Sequence, residues 1–331
     1  MQQQYGVELL VIHWPGAKEA PFGEALFSHI DHRHNKEGLS VGQMVDLLRD
    51  FAPQALLISG WMDKDYLKVA RQMRKEGLPV IAGCDTQWTG SLRQKAGQII
   101  APWYLHPAID VLWVSGERQQ QLARRLGYRG QKCWTGYYAC DWERFRTPAP
   151  RSFEKAAKAF FYVGRYIPRK GIEVLAEAYR SYRSQSNAPW ELWTAGAGPE
   201  AARLNEIAGG KNLGFLQPDE LPALLREVGA FILPSRVEPW GVVLQEAAAA
   251  GLPLLCSDAS GAAVHLLTDG FNGFSFENGN AAQLAQRMLA IASLPAQQWE
   301  AMSRGSFELS KQYTPEIWAR TLVEGIAIFK Q

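Results

Sequence analysis

No apolar run in the sequence approaches the roughly 20 residues that a membrane-spanning helix needs, so nothing is expected to cross a bilayer. The start, MQQQYGVELLVIHWPG, has no basic segment ahead of its short apolar stretch and does not read as a signal peptide. The four cysteines (Cys84, Cys133, Cys140 and Cys256) form no CxxC pair, which argues against a zinc site or a redox couple and makes reduced thiols the default. Charge of one sign is also missing: 35 basic against 33 acidic residues leave a formal +2, no electrostatic footprint for nucleic acid. The expected location is the cytoplasm, with peripheral contact at the inner membrane surface left open. What is present is an ordinary globular composition, 47% apolar and 11% aromatic over 331 residues. That length suggests two domains of about 150 residues, each able to bury its own core.

Short apolar runs alternate with segments of helical period. The runs predict strands at Leu9–Ile12, Ala55–Ile58, Val80–Ala82, Val111–Val114, Phe160–Val163, Glu191–Thr194, Ala230–Leu233 and Pro253–Cys256. Between them lie patterns such as Ile172, Leu175, Ala176 and Tyr179, one helix face. Alternation of this kind implies α/β architecture with parallel sheets. The stretch Arg146–Ser152, RTPAPRS, has two prolines and no periodicity and reads as an interdomain linker. We expect an N-terminal Rossmann-like domain over 1–148 and a C-terminal one over 149–331, facing each other across a cleft, with the last helix able to pack back on the first domain. Ligands should lie at the carboxyl ends of the strands.

Three strings after predicted strands carry candidate chemistry. In FFYVGRYIPRKG (Phe160–Gly171) a strand runs into Gly164 and Arg165, then a proline turn, then Lys170 and Gly171 opening a helix. Two cations beside a helix start suit a phosphate or diphosphate; solvated side chains on a surface turn are the alternative. In ELWTAGAGPE the string from Gly196 to Ala201 fits G-x-G-x-x-G/A, the dinucleotide fingerprint. The acidic residues about 20 positions on, Asp219 and Glu220, look like a helix start rather than a strand end, so a nicotinamide reading fails. In LPSRVEPWGVVLQEAAAAG (Leu233–Gly251) Glu238 lies just outside the start of an Ala-rich helix and Glu246 lies within it. Carboxylates framing free helix N–H groups suit a hydroxyl-rich ligand with an anionic part. Favourable charge at a helix start would explain Glu238 alone, but Glu246 amid Ala247–Ala250 looks buried and in need of partners.

The order GR-x4-KG, G-x-G, PS-x2-EPWG-x4-E and AG-x-P resembles the retaining glycosyltransferases of family 4, which have the GT-B fold; the spacing from Glu238 to Glu246 is that group's E-x7-E signature. The resemblance is dense from residue 159 to about 280, and TGYYACDWERF (Thr135–Phe145) is similar to the stretch closing the family's first domain. It implies that Arg165 and Lys170 bind the donor diphosphate in place of a metal, so that no metal or other cofactor is needed. Glu246 would hold the ribose hydroxyls. Glu238, Pro239 and the backbone of Trp240, Gly241 and Val242 would hold the transferred sugar. Gly164, Gly196 and Gly198 would complete the donor site, with Phe215 and Leu216 against the base.

The chain departs from that pattern in places. His265 stands where many relatives have Glu and reads as a structural variation. HWPGAKEAPFGE (His13–Glu24) replaces the glycine-rich acceptor loop, and AGCDTQW offers Asp85, in place of the family's first-domain His, to face the donor sugar as a catalytic residue. HIDHRH presents His29, His32 and His34 at a spacing that does not share a helix face, so a polar loop or helix end is expected rather than a metal site. LRQKAGQIIAPWY (Leu92–Tyr104) reads as an interior helix broken at Pro102, with a membrane-surface face as the alternative.

The function implied is a retaining glycosyltransferase. It would move a sugar from a UDP- or GDP-sugar to a hydroxyl of a glycan, lipid-linked or small-molecule acceptor, in cell-surface polysaccharide or glycoconjugate synthesis. Binding of a nucleotide sugar without transfer, or epimerisation of that sugar on the same fold, are the alternatives.

Overall fold

The computed structural model describes residues 5–15, 30–205 and 207–329, which form two compact units, Met1–Tyr137 with Glu316–Gln331, and Tyr138–Pro315. The replaced acceptor loop beyond Pro15, and His29, lie outside the described residues.

In the first unit β1 (Leu10–His13) pairs in parallel with β2 (His32–Asn35). A second parallel sheet runs β3 (Leu56–Ile58), β4 (Val80–Cys84), β5 (Val111–Val114), β6 (Cys133–Thr135) in that spatial order. Every residue of β4 and β5 is buried, as expected for central strands covered on both faces. Helices start where the sequence supplies caps. Ser40 and Gln43 form a capping box on the helix Val41–Phe51, and the Asp63 carboxylate caps Lys64–Lys75. The last helix, Pro315–Phe329, brings Trp318 onto Trp113, stacked at 4.7 Å, while its indole N–H donates to the Tyr137 carbonyl at 2.7 Å.

The second unit is one six-stranded, all-parallel sheet. Its strands are β7 (Ala157–Val163), β8 (Glu191–Ala195), β9 (Gly210–Asn212), β10 (Val228–Leu233), β11 (Leu254–Ser257) and β12 (Gly273–Phe276). They lie in the order β12-β11-β10-β7-β8-β9. From β7 the chain winds outward one way and from β10 the other, the doubly wound order whose switch point lies between those two strands. Two buried clusters, one led by Phe160, Tyr162 and Trp190 and one by Phe161, Phe231 and Leu244, sandwich the sheet.

All eight predicted strands are present within a residue or so at most ends, but four others had no apolar run to announce them: HRHN, CWT, GKN and GFSF, each at a sheet edge. His32 and His34 are therefore strand residues, not the polar loop or helix end expected. The helix Leu92–Tyr104 also departs from expectation. It runs unbroken through Pro102, and only Ala101 on it is buried. Its large apolar side chains face outward, the reverse of an interior helix.

The stretch 146–152 is irregular, yet it is fixed within the second unit. The Arg151 guanidinium donates to the carbonyls of Leu225 at 2.7 Å, Ala250 at 3.1 Å and also Val228. Burial lowers its pKa to about 10, leaving it charged at neutral pH.

Candidate functional site

The loops after β7 and β10 meet at the switch point. β7 ends at Val163, and the chain passes through Gly164 and Arg165 into a 3-10 turn, Pro168–Lys170, whose first position suits the fixed φ of proline. Gly171 follows in the left-handed region (φ 69°) and opens the helix Ile172–Gln185. No other residue fits there: a Cβ would lie 2.1 Å from the Pro234 carbonyl oxygen. The N–H groups of Arg236 and Val237 donate to the Arg169 carbonyl at 2.9 and 3.1 Å, locking the two loops together.

That lock delivers the site's central contact. Lys170 Nζ donates to Glu238 Oε2 at 2.5 Å, and the Ser235 hydroxyl donates to the same oxygen at 2.9 Å. The side chains are only 18% and 8% exposed, so the pair is shielded from bulk solvent and its geometry is well defined. Sequence reasoning assigned the two residues to different parts of a ligand; the structure brings them into contact. Ser235 was missed, although its place beside Pro234 right after a buried strand could have marked it.

Glu238 belongs to a loop held from its other side by the turn after β11. Gly261 N–H donates to the Glu238 carbonyl at 3.1 Å, and the Trp240 carbonyl accepts from Ala262 N–H at 3.0 Å and the Ser260 hydroxyl at 2.8 Å. Pro239 is half-buried. The Trp240 indole is buried beside Tyr313 and His265, ring centroids 5.5 and 5.7 Å away, so only its backbone is available to a ligand. His265 is thus part of an aromatic cluster. Gly241 (φ 100°) then starts the helix Val242–Ala249; Leu244 N–H donates to the Gly241 carbonyl at 2.9 Å, and the N–H groups of Val242 and Val243 ahead of it stand at the helix mouth.

Glu246 lies one turn into that helix, about 6 Å along its axis from Val242. Among the described residues its carboxylate makes no hydrogen bond or ion pair. Burial pushes its pKa up to about 7, against a smaller opposite pull from the Arg144 charge. The same packing raises the neighbouring Cys140 thiol to about 12, first by burial and then by the Glu246 charge. A carboxylate held this way is short of donors, and a ligand hydroxyl would supply one.

Gly196 and Gly198 line up beside these loops for a reason the fingerprint did not state. Gly164 N–H donates to the Ala195 carbonyl at 3.0 Å and Gly196 N–H to the Gly214 carbonyl at 2.7 Å, so three successive strand-end loops run side by side. A Cβ on Gly196 would meet the Gly164 carbonyl oxygen at 2.0 Å. The close approach seen is loop to loop. Phe215, 38% exposed, and half-buried Leu216 follow β9 on this edge. Asp85 belongs to the first unit, where it follows β4, half-buried, its carbonyl accepting from Gln119 Nε2 at 3.2 Å.

Residues 144–305 match the family described as Glycosyl transferases group 1. A glycogen synthase from Mycobacterium tuberculosis is 26% identical over 223 residues, 65% of this chain and 53% of its own length, so the chain spans about half of that relative. A phosphatidyl-myo-inositol mannosyltransferase from Mycobacterium leprae is 29% identical over 273 residues, 80% of this chain and 68% of that protein. The crystal structure of Anabaena HepE in complex with UDP and glucose superposes with a TM-score of 0.71, at 17% identity, over 92% of this chain and 88% of that one. This likeness shows the fold, which is GT-B.

Proposed function

We infer that this chain, a member of the group 1 glycosyl transferases, moves a sugar from a nucleoside-diphosphate sugar to a hydroxyl acceptor with retention of anomeric configuration. The observation that carries this reading is the Glu246 carboxylate, which among the described residues accepts no hydrogen bond, one turn beyond a helix start flanked by the Lys170–Glu238 pair. A nucleotide sugar has three features that such a site suits: ribose hydroxyls for Glu246, a diphosphate for Lys170 and the helix N–H groups, and sugar hydroxyls for Glu238. Relatives and neighbours point the same way. One is named a mannosyltransferase, and HepE binds UDP and glucose.

In the proposed reaction the bond from the sugar's anomeric carbon to the diphosphate breaks, and a bond to the acceptor oxygen forms. Negative charge grows on the departing phosphate, where Lys170, Arg165 and the first-turn N–H groups stabilise it. The acceptor's proton goes to the departing phosphate oxygen, so no protein base or metal ion is required. Asp85 would act from the first unit on the donor sugar. Cell-surface polysaccharide or glycoconjugate synthesis is the proposed setting.

The test has two stages. In a thermal-shift panel, UDP or GDP and their sugars should raise the melting temperature, because a ligand that binds only the folded state stabilises it. Release of nucleoside diphosphate with a saccharide or lipid-linked acceptor should then proceed equally with and without a chelator. Stabilisation without release in any acceptor mixture would indicate a binding protein, and an isomerised donor without acceptor an epimerase.

A further inference from the structure

Six of the thirteen large apolar side chains exposed among the described residues belong to one place in the first unit: Met62, Leu92, Ile99, Ile100, Trp103 and Tyr104. Five of them are on the helix Leu92–Tyr104, and their exposure runs from 40% for Tyr104 to 83% for Leu92. At 100° per residue, Leu92, Ile99 and Trp103 fall within about 40° of one line, with Ile100 and Tyr104 widening the ridge on one side. The opposite face, turned to the unit, holds Gln94, Gly97 and Ala101. The helix is built inside out: small and polar residues seat it, and its apolar side chains stand in solvent. A contiguous exposed patch of this size marks a docking surface.

Charge decides what the surface fits. Lys95 borders the ridge on one side and Arg93 stands between Ile100 and Tyr104 on the other, and the helix has no Asp or Glu. The neighbouring helix Lys64–Lys75 has a stripe of Lys64, Lys68, Arg71 and Lys75, within about 60° of one line, with Asp65 its one acid. The stripe is joined to the ridge through Arg71, whose guanidinium donates to the Tyr104 carbonyl at 2.9 Å and stands 5.9 Å from its ring. Aliphatic and indole side chains bordered by six long cations against two acids, Asp63 and Asp65, the latter 3.3 Å from Lys68, match the layering of a lipid surface, acyl chains below and anionic headgroups above.

We propose that the helix Leu92–Tyr104 lies in the interface of an anionic phospholipid bilayer, its ridge inserted among the acyl chains and the Lys64–Lys75 stripe over the headgroups. No helix among the described residues is long and apolar enough to cross a membrane, so the attachment is peripheral and reversible. It does not rest on the sugar-transfer reading, since it is read without donor or acceptor.

The experiment is co-sedimentation of the full chain with phosphatidylcholine vesicles, with and without phosphatidylglycerol. The wild type should sediment with anionic vesicles and be released by high salt. Ile99→Ser/Trp103→Ser should lower the partition coefficient by about tenfold or more on anionic vesicles. Arg93→Gln/Lys95→Gln should lower it on the order of tenfold on anionic vesicles and leave neutral ones unchanged. All four positions are exposed, so melting temperatures and nucleotide binding should stay at wild-type values and show that each variant is folded. Wild-type protein remaining in the supernatant, or variants sedimenting as the wild type does, overturns the proposal. Concentration-dependent dimerisation abolished by Ile99→Ser/Trp103→Ser, without vesicle binding, would assign the ridge to a second copy instead.

Discussion

Lys170 and Glu238, 68 residues apart in the chain, meet at 2.5 Å where the sheet changes its direction of winding. Each keeps the other's charge compensated in a place largely closed to water. A donor diphosphate arriving at Lys170 would compete with Glu238 for that ammonium, and a sugar hydroxyl arriving at Glu238 would take up the carboxylate so released. The pair therefore holds both groups ready while the site is empty.

Separating stability from catalysis at this pair needs two substitutions. Lys170→Met leaves a mostly buried carboxylate beside the Ser235 hydroxyl without its cation, and should cost about 2–3 kcal/mol of folding stability, somewhat under the cost for a fully buried pair. Adding Glu238→Gln removes the stranded charge and should recover most of that loss. Turnover of the nucleotide sugar should stay down by several orders of magnitude in both. Denaturant titration and nucleotide-release assays on the two variants check this; a double variant that regains activity would remove Lys170 from the reaction.

Glu246 should make both stability and donor binding depend on pH, in opposite directions. Its folded-state pKa, about 7, is raised above the ordinary 4.5, so the folded state favours the protonated acid. That contribution is fully present below about pH 4.5 and is lost as pH rises through about 7. Glu246→Gln should flatten this slope and make the protein about 2 kcal/mol more stable than the wild type at pH 8, allowing for partial exposure. Nucleotide binding to the wild type should tighten over the same interval, because ribose hydroxyls donate to the ionised form. In Glu246→Gln binding should be weak and flat. Melting curves and nucleotide titrations at pH 5.5 to 8.5 read both.

The central strands of the second unit's sheet were legible because burial on both faces forces continuous apolar runs, as in AFFYV and VGAFIL. Edge strands such as GKN and HRHN need only backbone pairing on one side, so their side chains leave no pattern. The glycines of the candidate site were legible as glycines, but not why: Gly196 is shaped by the Gly164 carbonyl, a partner on another loop. The ion pair was illegible for the same reason, since no spacing rule connects Lys170 to Glu238. The helix Leu92–Tyr104 was misread because apolar residues were assumed to face inward, a rule that runs one way only.

Gly171 and Gly270 share a left-handed backbone, φ 69° and 75°, but not their surroundings. A Cβ on Gly270 meets nothing within 4 Å, so Gly270→Ala should cost only the conformational penalty, about 1–2 kcal/mol, and leave nucleotide binding unchanged. Gly171→Ala would press against the Pro234 carbonyl oxygen and push apart the two loops that bring Lys170 to Glu238. It should cost about 3 kcal/mol or more and abolish the nucleotide-induced thermal shift. Equal effects at the two positions would mean that the loop contact plays no part in binding.

Arg151 gives the sharpest test of whether the proline-containing stretch 146–152 is structural. Its guanidinium donates to carbonyl oxygens on three segments, at Leu225, Val228 and Ala250. Arg151→Met keeps the aliphatic stem and strands those oxygens, at about 1 kcal/mol each, so the loss should be about 3 kcal/mol. Arg151→Lys should recover only part of it, because a single ammonium cannot reproduce a planar fork of donors. With its pKa held at about 10, the guanidinium stays charged throughout the neutral range, so the deficit of Arg151→Met should be the same at pH 6 and pH 8. Denaturant titration at the two pH values measures it. A loss near zero would mean that the stretch is the free linker its composition suggested.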